Sequence, residues 1–221
     1  MENEFTFALG PVVISTSIIT TWGIMLVITV IAWLSTRHLD MLPGKLQTTV
    51  ESIVVAIDKT IVTVAPEHGR QIMPFIASLW LFLIIANLVG LIPGLHSPTR
   101  DLSVTSALAT LVFFSVHWFG IKTQGLKNYL RHYLSPNPIL LPFHIISEFT
   151  RTLALAIRLF GNMMSLEMAA VLILLVAGFL APIPILMLHI IEALVQAYIF
   201  GMLALIYVAG AIQSQQLNSP E

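Results

Sequence analysis

Apolar positions along this chain come in long unbroken runs rather than alternating with polar ones. Crossing ~30 Å of hydrocarbon takes ~20 apolar residues at 1.5 Å rise each, so charge-free runs are the unit to count. Phe5 to Thr36 carries no charge, and Ile18–Leu34 within it predicts a first span at 17–36 after an external segment at 1–16. Glu2 and Glu4 stand where a cleavable signal would be basic, so the span is expected to be retained. Beyond Pro43-Gly44, Val50, Ile53, Val54, Ile57 and Ile61 recur at helical spacing opposite Glu51, Asp58 and Lys59. That pattern predicts an amphipathic helix over 45–65 lying in the interface. Gln71–Leu95 and Leu102–Ile121 are further charge-free runs, and the short Pro98-Thr99-Arg100-Asp101 link makes 71–121 an antiparallel hairpin. Ile139 to Leu180 then gives ~60 Å of helix, roughly twice a perpendicular crossing, and should lie strongly tilted. After Ala181-Pro182-Ile183-Pro184 a last long helix runs from Ile185 to about Gln213, so that 139–213 is a helix pair and 214–221 a polar tail. The fold class expected is all-α integral membrane, one domain with five crossing helices and an interfacial helix.

Composition narrows the classes further. The 221 residues are 57% hydrophobic and only 10% charged, and mean hydropathy is +0.92. Neither a water-soluble surface nor a disordered chain is built from such a mixture. Ten Lys and Arg against eleven Asp and Glu, with no basic run, give a nucleic acid nothing to bind. The chain has no cysteine, which removes disulfides and thiolate metal sites together. Arg37, Lys45, Lys59 and Arg70 follow the first span, and Lys122, Lys127 and Arg131 follow the third. By the positive-inside rule both loops are cytoplasmic, which puts the N-terminus outside and the C-terminus inside.

Charged and polar groups inside the last two spans carry the chemistry. An Arg at mid-bilayer costs ~2.5–3.5 kcal/mol on insertion scales, so ionisable residues there face protein or water and are functional candidates by default. The fourth span holds Glu148, Arg151, Arg158 and Glu167; the fifth holds His189, Glu192 and Gln196. Arg158 lies too far from either helix end to snorkel, whereas Glu148 and Arg151 could simply pair with each other at i, i+3. Docked as an antiparallel pair, the two helices are expected to set Arg158 beside Gln196, Asn162 beside Glu192, Glu167 beside His189 and Glu148 beside Tyr207. Titratable groups would then lie above and below an Arg that cannot be deprotonated, so a proton relay would be interrupted at Arg158.

Ile157-Arg158-Leu159-Phe160-Gly161-Asn162-Met163, followed by Gln196-Ala197-Tyr198-Ile199-Phe200, resembles subunit a of the F-type rotary ATP synthases. Leu83-Ile84-Ile85-Ala86-Asn87-Leu88-Val89-Gly90-Leu91-Ile92-Pro93 and Ser147-Glu148-Phe149-Thr150-Arg151 are similar to the same family. Thr152 stands where that family often has Pro, and Glu192 where it is more often apolar. Thr21-Trp22-Gly23-Ile24-Met25 and Val112-Phe113-Phe114-Ser115-Val116-His117 look like the variant of alternative bacterial operons. The resemblance implies that Arg158 is the stator arginine facing a ring of c subunits, with Asn162 and Gln196 as polar neighbours. Glu167, His189 and Asn87 would line the external half-channel, with Glu192 an additional group there. Glu148, Arg151 and Tyr207 would be candidates for the cytoplasmic half-channel. Partners implied are the c-ring, the b subunits of the peripheral stalk, other synthase subunits and membrane lipid, in a bacterial cell membrane. No cofactor or metal is implied.

Other classes stay in view. A Na⁺-translocating version of the same subunit differs only in its ion, and a secondary transporter or channel would also hold charges at mid-membrane. A transporter often shows related halves with broken helices, and none are detectable here. His144 with Glu148 and His189 with Glu192 could each supply two metal ligands, but on opposite sides of the membrane. His38, His68, His96, His117 and His132 fall in loops or near span ends, where a solvated or interfacial role is expected. No phosphate-binding glycine loop occurs, so ATP chemistry must belong to other chains.

Overall fold

A computed structural model describes residues 7–9, 12–37, 44–92, 95–126, 129, 141–178 and 183–213. Two three-residue strands, β1 (Phe7–Leu9) and β2 (Val12–Ile14), pair antiparallel ahead of the first helix. This small hairpin lies where the apolar pattern signalled only an external segment; the β-branched run Val12-Val13-Ile14 favours extended backbone. Six long helices follow: α1 (Thr16–Arg37), α2 (Lys45–Val64), α3 (Gly69–Val89), α4 (Leu102–Gln124), α5 (Leu141–Ala177) and α6 (Ile183–Gln213). All but α2 are long and apolar enough to cross a membrane. The chain is an all-α, multi-pass membrane protein.

The polar residues inside these apolar helices do not break them, because their hydroxyls turn back onto the helix. Thr20, Thr21, Thr29, Ser115, Thr150 and Thr152 each donate to a carbonyl three or four residues earlier, at 2.7–3.0 Å. A hydroxyl satisfied in this way costs little in hydrocarbon. At the end of α1 the Arg37 guanidinium lies 4.7 Å over the Trp33 ring, an amphipathic anchor suited to a membrane boundary.

Helix α6 is the centre of the packing and touches α3, α4 and α5. Its buried face carries Ala193, Ala197, Gly201 and Ala204, small residues one turn apart that let neighbouring backbones approach closely. The facing stripe on α3 is Ile72, Ile76, Leu79, Trp80, Leu83 and Asn87. Helix α2 buries Ile57 and Ile61 against α3 and leaves Ile53, Val54, Val55 and Val62 exposed, as a helix embedded in an interface would. Helix α5 buries little beyond Leu155, Ala156, Leu159 and Met163, so most of its apolar surface is open.

A short 3-10 turn, Pro98–Arg100, links the hairpin, and Asp101 caps α4 by accepting from the Ser103 N–H at 2.9 Å and its hydroxyl at 2.8 Å. Burial works to raise the Asp101 carboxyl, but the Ser103 bonds, a bond from Ser17 and the Arg100 charge outweigh it and hold it below its usual 3.8. A depressed carboxylate stabilises the fold above its unfolded-state value, and the contribution disappears as pH falls through the lower native value. Asp101→Ala should therefore cost about 1 kcal/mol at neutral pH and progressively less under acid, read as the acid dependence of thermal unfolding in detergent.

Candidate functional site

Where α3 hands over to α4, the connecting residues fold back between helices and bury polar groups. Ser97, Thr99 and Asn87 are fully or almost fully buried. The Ser97 hydroxyl donates to the Ala86 carbonyl at 2.8 Å, and the Thr99 hydroxyl donates to Asn87 Oδ1 at 2.8 Å. The Asn87 amide donates to the Ala193 carbonyl at 3.2 Å, and His189 Nε2 lies 3.4 Å from the Asn87 carbonyl oxygen, which ties α3 to α6. Glu167 of α5 reaches into this cluster. One carboxylate oxygen meets the Arg100 guanidinium at 2.9 Å, and the other accepts from the Ser97 N–H at 3.4 Å. Gly90 leaves room for it: a Cβ there would stand 3.2 Å from that second oxygen and 3.1 Å from Ser97 Cβ.

About 14 Å along α5, at 1.5 Å per residue, Arg158 lies on the exposed face. Among the described residues it has no ion-pair or hydrogen-bond partner. One turn on, the Asn162 amide donates to Gln196 Oε1 at 2.6 Å, which joins α5 to α6. Gln196 is 1% exposed, and its Nε2 has no partner among the described residues. Buried Met163 lies between this level and the Glu167 cluster, and buried Leu155 between it and the opposite end.

At that opposite end a cavity of about 420 Å³ opens between α4, α5 and α6. His144, Glu148, Arg151, Tyr129 and Tyr207 line it. Glu148 Oε2 is 3.1 Å from His117 Nε2, and the Arg151 guanidinium sits 5.5 Å over the Tyr207 ring. Two polar clusters thus lie on either side of Arg158, which has no partner among the described residues.

Comparison with known proteins shows the family. The family described as ATP synthase A chain matches residues 18–209. The chain is 64% identical over 212 residues to ATP synthase subunit a 2 of Pelobacter propionicus, covering 96% of this chain and 93% of that one. It is 64% identical to ATP synthase subunit a 1 of Hahella chejuensis (96% and 90% covered), and 54% identical to ATP synthase subunit a of Legionella pneumophila strain Philadelphia 1 (98% and 94%). The chain belongs to the ATP synthase subunit a family. It is a membrane-sector subunit concerned with ion translocation, and its partners are other ATP synthase subunits.

Within that family frame, the helix register differs from the pairing expected between the last two spans. The Asn162–Gln196 and Arg151–Tyr207 contacts share one register, displaced by four residues from the one that pairs Arg158 with Gln196. Asn162 therefore takes Gln196, and Glu192, half-buried, has no hydrogen-bond or ion-pair partner among the described residues. Glu167 takes Arg100 in place of His189, because the linker carries a long cation back to it while His189 turns to α3. Glu148 takes His117 in place of Tyr207, and His117 is accordingly an interhelical partner. Arg100 and His117 were missed as site residues. Arg100 looked like an ordinary turn residue; His117 is about two turns from the end of α4, too deep for a purely solvated side chain, and that depth was the available signal.

Proposed function

We propose that this chain is the ion-translocating stator subunit of a rotary synthase, forming two offset half-channels that load and unload protons on the carboxylates of a c-subunit ring. The external half-channel is assigned to Glu167, His189, Asn87 and Glu192, and the cytoplasmic one to the cavity with Glu148, Arg151 and Tyr207. Arg158, with Asn162 and Gln196 beside it, divides the two. The N-terminus is outside and the C-terminus cytoplasmic, in a bacterial inner membrane, and b subunits hold the chain against rotation. ATP chemistry resides in other subunits.

The observation that carries this reading is Arg158 on the exposed face of α5, beside exposed Leu153, Ala154 and Ile157, with no ion-pair or hydrogen-bond partner among the described residues. A ring carboxylate that has bound its ion is neutral and can turn through lipid, whereas the bared anion is strongly disfavoured there. A guanidinium facing the ring stabilises the anion, and so favours ion release as each ring site arrives. It cannot itself pass a proton on. Ions consequently cross only by travelling round with the ring, and that asymmetry turns a gradient into torque.

Reconstituting the purified complex in liposomes tests the assignment. ATP-driven acidification that a protonophore collapses and a Na⁺ ionophore leaves intact identifies protons; the reverse pattern identifies Na⁺. Glu167→Gln should slow pumping at least about tenfold, and up to the ~10²-fold or more of a positioned proton-transfer group, while the complex still assembles. Unchanged pumping would move the external entry to Glu192 or elsewhere.

A further inference from the structure

We infer that His117 is a proton-transfer residue beside the cavity between α4, α5 and α6, joined to it through the cavity-lining Glu148, with which it holds one mobile proton; this rests on the half-channel reading above. The geometry fixes the proton count. His117 Nδ1 lies 2.9 Å from the Phe113 carbonyl oxygen, which can only accept, so Nδ1 carries a hydrogen. The nitrogen that faces Glu148 Oε2, 3.1 Å away, is then Nε2. An unprotonated Nε2 and a carboxylate oxygen are both acceptors and would not hold each other at that distance. One further proton must lie between them, either as imidazolium facing carboxylate or as imidazole facing carboxylic acid.

The surroundings suit a station that fills and empties. Both side chains are about three-quarters covered, yet keep an exposed fraction of 28% and 23%. The cavity holds far more volume than one water needs. Groups facing the pair are the Tyr129 ring, 6.0 Å from the His117 ring, and across the cavity His144, Arg151 and Tyr207. Arg151 is engaged with Tyr207, and the Phe113 ring packs 4.4 Å from the imidazole and holds its plane.

In the transfer step the pair passes its shared proton to a water-bridged acceptor on the ring side. Neutral imidazole is left facing carboxylate. A hydronium ion in the cavity then returns one proton to Nε2 and becomes water. No electron moves, and the chain ends as it began.

Two substitutions separate transfer from packing. In His117→Asn the amide nitrogen can keep the bond to the Phe113 carbonyl but nothing reaches Glu148. In His117→Gln an amide nitrogen can stand near Nε2 but cannot titrate. Passive proton conductance is measured in membranes carrying the whole complex stripped of its soluble sector, while the pH on the cavity side is varied. Both variants should conduct at least about tenfold less than wild type and lose a titration step between pH 5 and 8. His117→Gln combined with Glu148→Gln should be no worse than the poorer single variant. Wild-type conductance with an unchanged pH profile in either assembled variant, or fully additive losses in the double one, overturns the inference. Coupled transport surviving in Arg158→Ala would remove the half-channel reading itself, whereas loss there with an unaltered His117→Gln would remove only the role of His117.

Discussion

Replacing Arg158 with alanine is expected to abolish ATP-driven pumping and gradient-driven ATP synthesis while leaving the subunit assembled at normal abundance. Both halves of that result follow from one feature. The side chain is exposed and pairs with nothing in its own chain among the described residues, so removing it breaks no intramolecular bond and opens no cavity in the core. On the proposed reading, removing the guanidinium leaves a bared ring carboxylate without its counter-charge and no longer holds the two half-channels apart. Arg158→Lys should restore little, less than about a tenth of wild-type pumping. Ammonium is a compact, strongly hydrated point charge whose pKa drops on burial, and it lacks the planar fork that spans two oxygens of a carboxylate. Fluorescence quenching by inverted vesicles, with subunit content checked by immunoblot, is the measurement. Pumping above half of wild type in the alanine variant would be incompatible with any stator role for this residue.

Gly201→Ala should be the most damaging methyl addition at any glycine among the described residues. A Cβ at that position would fall inside the Trp80 indole, which lies directly on the glycine as α3 crosses α6. Trp80 cannot easily swing aside. It is 5% exposed and stacked on Tyr198 with ring planes 9° apart and centroids 6.0 Å apart. Overpacking of a close-packed site ordinarily costs about 1–3 kcal/mol, and here the helices must separate, so the upper end or beyond is expected. The visible outcome is loss of the subunit from membranes, measured as its abundance beside an unaffected subunit. Trp80→Leu in the same chain should recover much of the loss, since it empties the volume that the methyl needs. Normal abundance of Gly201→Ala without that second change would show that α3 and α6 do not meet as described.

The helices were legible because hydrocarbon leaves a chain few options. A backbone with no water to bond must satisfy itself within the helix, so a charge-free run of about 20 residues reads almost directly as a span. Side-chain pairing was less legible, for reasons that differ residue by residue. The register of α5 against α6 depends on how many residues the turn consumes, and residues 179–182 lie outside the described ones; a difference of four residues moved Gln196 from Arg158 to Asn162. Arg100 reaches Glu167 only because the linker folds inward over Asn87, a tertiary event that leaves no periodic trace. β1 and β2 are too short for alternation to register. The residues singled out on α5 and α6 for their cost in lipid nevertheless fall at three successive depths, which is as far as burial cost alone can order them.

Between the Glu167 cluster and the cavity, α5 is sealed against its neighbours by Leu155, Leu159 and Met163, a stretch of about 12 Å at 1.5 Å per residue. Polar material reaches in from both sides of that plug, so the electrical potential of an energised membrane would fall mainly across it rather than across the full ~30 Å of hydrocarbon. The local field beside Arg158 would then be two to three times steeper than the bilayer average. A ring site stepping past this short insulator would collect most of the voltage drop in a sideways movement of one or two helix widths.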